Sequence, residues 1–388
     1  MNNKLPSVVY CLDIDSCSTN KIEKKQINDY YILRYNKLGM CFNDYKNMIY
    51  RSVVFSYPEK RVLSFSPIKS IPVSTFMQKY PEVDDNLIVN EYIDGIMINL
   101  FYDDRIKKWK IATKGRIGGN YGLYNTGNNE TIYDMFLDAL RANKDESLNK
   151  LQLLTVLPKC LSYTFILQYP KAIIAMNIET PKIYLVSVFI INSQQNQAEY
   201  VPSIFYEKWP EFHNVQGIIN FPKRFNVSTY GEILNTDIIA GFIITNIETG
   251  EHCRILSKTY ESLKKTIRID ATVEYQYFCI RRIGKIKEFL LQFPRYKKDF
   301  FNIQNEYEIF ISNVHHEYCN YYIYKTSEHV DAKYFTHIYK IHHTIYLPSI
   351  KTTTKKIYKK TVREYFDKME PRELLFIMSY DKRNLSNI

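Results

Sequence analysis

The chain predicts an α+β fold, an antiparallel-sheet domain followed by an all-helical one, and three observations carry that prediction. Runs of β-branched and aromatic residues broken by turn residues fill roughly the first 260 of the 388 positions. Past about Arg268 the apolar period changes from two to 3.6, with Phe300, Ile303, Tyr307, Phe310, Val314, Tyr318 and Tyr321 at steps of three and four. Charge divides at the same place. Residues 281–388 hold 20 Lys and Arg against 12 Asp and Glu, so +8 of the net +11 lies in the helical part, which makes it the better polyanion-binding surface.

A chain of this length buries roughly 75% of its unfolded surface, enough for two cores without covalent or metal staples. The seven cysteines are scattered with no C-x-x-C pair, so neither a zinc site nor a disulfide framework is signalled. The start, MNNKLPSVVYCLDIDS, has no basic region followed by an apolar core. No window approaches the ~18 apolar residues of a membrane span, and the chain reads as soluble and intracellular.

Residues 47–57 and 61–65 predict a hairpin around Pro58-Glu59-Lys60. The stretch LIVNEYIDGIMINLF (87–101) begins a long strand, and residues 108–113 return beside it after Asp103-Asp104, delivering Lys114-Gly115 next to Asp94. Next comes GRIGGNYGLYNTGNN, either a phosphate-approaching loop or a plain connection, and then a helix over 131–142. Residues 163–169, 172–178 and 182–191 read as successive strands of one antiparallel sheet. Residues 238–247 and 252–256 pair around Glu248-Thr249-Gly250. A helix over 355–369 places Tyr358, Val362, Tyr365 and Met369 on one face. His315, His316, His337, His342 and His343 lack metal-ligand spacing and read as surface or stacking residues.

The order of these pieces over residues 50–260 resembles the covalent nucleotidyltransferases, specifically the bacteriophage-type RNA ligase 1 branch with its divergent copies in large DNA viruses. The resemblance implies an RNA-ligase-like, ATP-grasp-like domain over 1–268, with a basic helical domain over 269–388 outside its reach. In that family the lysine of K-x-D-G attacks the α-phosphate of ATP, and adenylate then passes to an RNA 5′-phosphate. An amine beside other cations loses its proton near neutral pH, which suits that attack.

Here the tetrapeptide is Tyr92-Ile93-Asp94-Gly95, with tyrosine at the nucleophile's position, and a phenol of pKa about 10 is a poor substitute. Arg51-Ser52 resembles the R-G element, Lys69 the lysine of the following strand, and Thr113-Lys114-Gly115 the T/S-K-G element whose lysine faces the nucleotide. Thr164-Phe165-Ile166-Leu167-Gln168 resembles motif three with its carboxylate turned into an amide, a poor magnesium ligand. Tyr184 or Phe189 answers to the adenine-stacking residue. Ala240-Gly241-Phe242-Ile243 lacks the glutamate of motif four. In Arg254-Ile255-Leu256-Ser257-Lys258-Thr259-Tyr260 arginine replaces the first lysine of motif five, leucine the second, and Lys258 lies two residues late.

The resemblance thus implies catalytic positions at Tyr92, Asp94, Lys114 and Lys258, and nucleotide contacts at Arg51, Lys69, Gly95, Gln168, Tyr184, Gly241 and Arg254. Lys355, Lys356, Lys359, Lys360 and Arg363 form a candidate RNA-binding face; no metal site is assigned. Three readings follow. One is a pseudoenzyme that binds RNA and ATP without adenylylation. Another is an active ATP- and Mg2+-dependent RNA ligase in which Lys69, Lys114 and Lys258 converge to supply a relocated nucleophile. The third is a structural subunit of a larger viral complex. The viral resemblance implies a location in the cytoplasm of an infected host or in the virion.

Overall fold

A computed structural model of the chain describes residues 8–15, 21–36, 45–122, 130–141, 148–170, 176–215, 217–236, 238, 240–267, 272–326, 328–350 and 356–385. It contains two compact units, Met1–Ile267 and Arg268–Ile388.

Strands in the first unit are β1 (Val9–Cys11), β2 (Ile22–Ile27), β3 (Tyr30–Tyr35), β4 (Val53–Ser56), β5 (Val62–Phe65), β6 (Leu87–Glu91), β7 (Ile96–Asp103) and β8 (Lys108–Ala112). They continue as β9 (Leu161–Gln168), β10 (Lys182–Asn192), β11 (Gln197–Val201), β12 (Ile219–Asn220), β13 (Arg224–Phe225), β14 (Gly241–Asn246) and β15 (His252–Leu256). They form a seven-stranded sheet in the order β1-β11-β10-β9-β7-β8, with β12 beside β10, and two four-stranded sheets, β13-β6-β14-β15 and β2-β3-β4-β5. Every pairing is antiparallel except β10 with β12. The predicted α+β class with antiparallel sheets is therefore the observed one.

Alternation along each strand decides which face is core. Ile98, Leu100, Tyr163, Phe165, Leu167, Ile183 and Leu185 point from the large sheet onto the helix Ile132–Ala139, where they pack with Met135 and Phe136. That helix starts where the sequence predicts because Thr131 and Asp134 close a capping box. Leu87, Val89, Phe242, Ile244 and Cys253 point from the β6-β14-β15 face onto Phe76 of the helix Val73–Lys79.

The largest correction falls on residues 87–101. They do not form one strand: β6 belongs to a four-stranded sheet and β7 to the seven-stranded one, and the chain crosses between them at 92–95. Long-range contacts force the crossing. The Tyr92 amide donates to the Gly241 carbonyl at 2.8 Å, while Ile96 already pairs with Leu167. Gly95 presses so close to β9 that a Cβ there would lie 2.4 Å from the Leu167 carbonyl oxygen. Residues 45–49 form a short helix rather than the start of a strand. The strand expected over 172–178 falls partly outside the described residues, and 176–178 are not extended into a ladder.

In the second unit the helix Lys297–Tyr318 buries Phe300, Ile303, Tyr307, Phe310, Val314 and Tyr318, as the periodicity predicts; Tyr321 lies beyond it in the π-helical segment Cys319–Tyr324. The helix expected over 355–369 is shorter, Lys359–Asp367. Its buried residues are Val362 and Phe366, whereas Tyr358 precedes it in an extended conformation and is 63% exposed.

Candidate functional site

The non-core faces of two sheets enclose a cavity of about 160 Å³. Period-two alternation builds its walls. Ile88, Asn90 and Tyr92 come from β6 and its continuation, Ile243 and Thr245 from β14, and His252 and Arg254 from β15. Opposite them stand Gly95, Met97, Thr164 and Ile166.

Arg51 and Arg254 line this cavity, and together with Lys114 they lie close enough to Lys69 to act on its charge, so four cations form one cluster. Burial pushes the Lys69 amine below its ordinary pKa, and Arg254, Arg51 and Lys114 push it further, with the Tyr35 oxygen opposing them. Arg51 is lowered by burial and by Arg254. Lys114 donates to the Tyr35 hydroxyl at 2.8 Å and sits 4.1 Å from the centre of the same ring. Among the described residues Arg51 and Arg254 make no hydrogen bond or ion pair. His252, 7% exposed, is driven down to about 3 by burial and then by Arg51, with Arg254 and Lys69 adding to the effect. It is a neutral imidazole at physiological pH. Like charges gathered in this way repel one another unless an anion sits among them.

Tyr92 lines the same cavity beside Arg254 and belongs as well to an apolar cluster. Ala240 and Tyr260 form a buried pair, and Tyr92, Leu256, Leu263 and Met176 pack around it. The Tyr92 and Tyr260 rings meet edge to face at 5.6 Å and 70°. Positions 92, 240 and 256, where the resemblance expects lysine, glutamate and lysine, therefore lie in one cluster. The Tyr260 hydroxyl is buried there, and burial, then Tyr92 and Asp94, raise its pKa.

The remaining expected residues do not join either cluster in a single way. Asp94 is buried, and its backbone carbonyl accepts from the Gln168 side-chain amide at 3.0 Å, a bond that only the amide form can donate. Gly241 allows β14 to approach β15, since a Cβ there would fall 2.2 Å from the Ile255 carbonyl oxygen at a φ of +132°. Tyr184 is half-buried on the face that carries Val186, its pKa raised by burial and by Glu91. Phe189 is not free to stack on a base, because it packs against Phe65 at 4.8 Å and Tyr10 at 6.2 Å. Lys258 does not converge with Lys69 and Lys114: capped by Ser257, it opens the helix Lys258–Thr266 and borders a separate depression with Ile233 and Thr259.

The basic face expected in the second unit is partly neutralised. Arg363 pairs with Glu308, Lys359 lies 3.7 Å from the same carboxylate, and Lys360 is 3.9 Å from Glu364. Lys356 is exposed, and Lys355 lies outside the described residues. Tyr35 and His252 were not legible as site residues, since neither stands in a recognisable motif. The signal that would have found His252 is its place two residues before Arg254 on the same strand face.

The donor set does not suit a magnesium ion held by the protein. Gln168 is engaged with a carbonyl, and among the described residues no group of three or more His, Cys, Asp and Glu side chains comes together.

No protein-family profile matches the chain, and no curated protein does. Solved structures similar to it include a variant of an RNA ligase from Naegleria gruberi with ATP and manganese, 14% identical over 52% of this chain with a TM-score of 0.36. An archaeal ATP-dependent RNA ligase is 11% identical over 78% of this chain and 72% of its own, with a TM-score of 0.40. The chain spans 58% of the Naegleria ligase's length.

Proposed function

We propose that this chain is an RNA-ligase-like protein that binds RNA and holds the phosphates of ATP among Arg51, Lys69, Lys114 and Arg254 without forming a covalent adenylate. One observation carries the reading: Tyr92, Ala240 and Leu256, the three positions of expected charge, share a packed apolar cluster with Tyr260. A glutamate at 240 or a lysine at 256 would bring charge into a cluster built of rings and methyl groups, where it costs stability unless it is paired. Instead all three positions are compatible with one another. The cation cluster keeps the electrostatics of a phosphate site. The net positive charge of the helical part supports RNA as partner. Magnesium would arrive on the nucleotide's phosphates rather than on protein ligands.

The test is incubation with magnesium and α-labelled ATP, followed by denaturing electrophoresis beside an equilibrium binding measurement. Saturable ATP binding with no covalent band is expected. A band abolished by Lys69→Ala would overturn the reading.

That second outcome has its own support. Lys69 stands in the surroundings that lower an amine's pKa, burial and three neighbouring cations, which is how an attacking lysine is activated. In this alternative the chain is an ATP-dependent RNA ligase, with Lys69 as the relocated nucleophile.

A further inference from the structure

Residues 332–363 form a 32-residue window with seven lysines, one arginine and no acidic residue. Its first half is the helix Ala332–Ile341 and its π-helical continuation His342–Tyr346. Tyr334, Ile338 and Ile341 turn inward, and Phe335 and Tyr339, one helical turn apart, turn outward at 45% and 48% exposure. The stripe does not end at the helix. His343 stacks on Tyr339 at 3.9 Å and 27°, and His342 beside it stacks face to face on Tyr322 at 3.8 Å and 5°. Tyr322 belongs to the second π-helical segment, Cys319–Tyr324, so two such segments meet through stacked rings. The π-helix is rare and recurs at functional sites.

Lys340 is exposed beside Tyr339, and Lys325 is exposed at the end of the Cys319–Tyr324 segment; among the described residues neither makes an ion pair. Lys333, by contrast, is held by Asp381 at 2.7 Å.

Exposed rings are common at protein interfaces too, but this face sets its ring planes in a window without an acidic residue and with cations beside them, the combination that bases and phosphates of a single strand require and that a paired duplex does not meet. We propose that the Phe335–Tyr339–His343 stripe is a stacking platform for single-stranded RNA, with Lys340 and Lys325 taking its phosphates. This rests on the RNA-binding part of the reading above and moves the contact away from the largely paired cations Lys359, Lys360 and Arg363.

The experiment is fluorescence anisotropy of the full chain with a labelled mixed-sequence single-stranded RNA and the corresponding duplex, at low salt. The double variant Phe335→Ala with Tyr339→Ala is expected to weaken single-strand binding about tenfold or more. Tyr339→Trp, which keeps a stacking ring, is expected to preserve it. Phe301→Ala removes an exposed ring from another helix and is expected to change it less than about twofold. Thermal unfolding of each variant verifies that the fold is intact. Unchanged RNA affinity in the double variant overturns the platform, and so does loss of self-association in sedimentation with RNA affinity intact, which would make the stripe a contact between copies. Absence of RNA binding by the unaltered chain removes the RNA part of the proposed function as well, while ATP binding at the cation cluster is measured separately.

Discussion

Two neighbouring clusters in the first unit have opposite characters. Arg51, Lys69, Lys114 and Arg254 gather positive charge, whereas Tyr92, Ala240, Leu256 and Tyr260 pack rings and methyl groups, with Arg254 5.9 Å from the Tyr92 ring between them. A cation cluster costs stability and is retained where an anion offsets the repulsion. An apolar cluster adds stability and needs no ligand. The two clusters therefore respond to substitution in opposite ways, and each can be altered with the other left in place.

The largest effect is expected at Gly241, whose carbonyl accepts from the Tyr92 amide and whose neighbour is Ala240. Gly241→Ala would force a Cβ against the Ile255 carbonyl at a φ that L residues rarely adopt, so chemical denaturation should show a loss of about 3 kcal/mol or more. Arg51→Ala with Arg254→Ala should weaken ATP binding roughly 100-fold, about 2.7 kcal/mol, while the melting temperature stays level or rises. A fall in stability matching the loss of binding would mean that the cations serve the fold. His252 is held near 3 in the folded chain against about 6.5 unfolded, so the unfolded state takes up the extra proton. Its contribution is fully present above pH 6.5 and is lost as pH falls through the interval toward 3. His252→Gln should therefore retain about 2 kcal/mol more of its pH 7 stability at pH 5 than the unaltered chain, measured by urea unfolding at both values.

Smaller effects sharpen the apolar cluster. Tyr92→Lys restores the expected nucleophile but places an amine beside Arg254, whose guanidinium lies 5.9 Å from the Tyr92 ring, and against Tyr260. It should cost about 1–2 kcal/mol and give no adenylate band, because Ala240 and Leu256 remain. Tyr260→Phe removes a buried hydroxyl that lies beside Tyr92 and Asp94 but makes no well-formed hydrogen bond among the described residues, and should change stability by less than about 1 kcal/mol.

Local pattern carried much of the fold. The β4–β5, β7–β8 and β14–β15 hairpins follow from alternation and turn residues, and Thr131 with Asp134 marks the start of its helix. The break at 92–95 was not legible in the same way, because IDGI continues an apolar run and the crossing is imposed by Gly241 and Leu167, each more than 70 positions away. Site residues divide along the same line. Arg51, Lys69, Lys114 and Arg254 stand in recognisable elements; Tyr35 gathers with them only because β3 and β4 pair and bring Arg51 close. Lys258, two residues late in its element and expected to converge with Lys69 and Lys114, instead opens a helix capped by Ser257 and borders a separate depression, a placement set by the cap.

By itself, the sequence determined the α+β class, the sites of most turns, the residues of the cation cluster and the tyrosine at position 92. These are properties of neighbouring residues and of residue type. Only the tertiary structure decided that Tyr92, Ala240, Leu256 and Tyr260 are one cluster, that Arg363 and Lys359 share Glu308, and that Phe335, Tyr339 and His343 present a ladder of rings. Such groupings depend on strand pairing and helix packing between residues distant in sequence, and local pattern has no access to that distance.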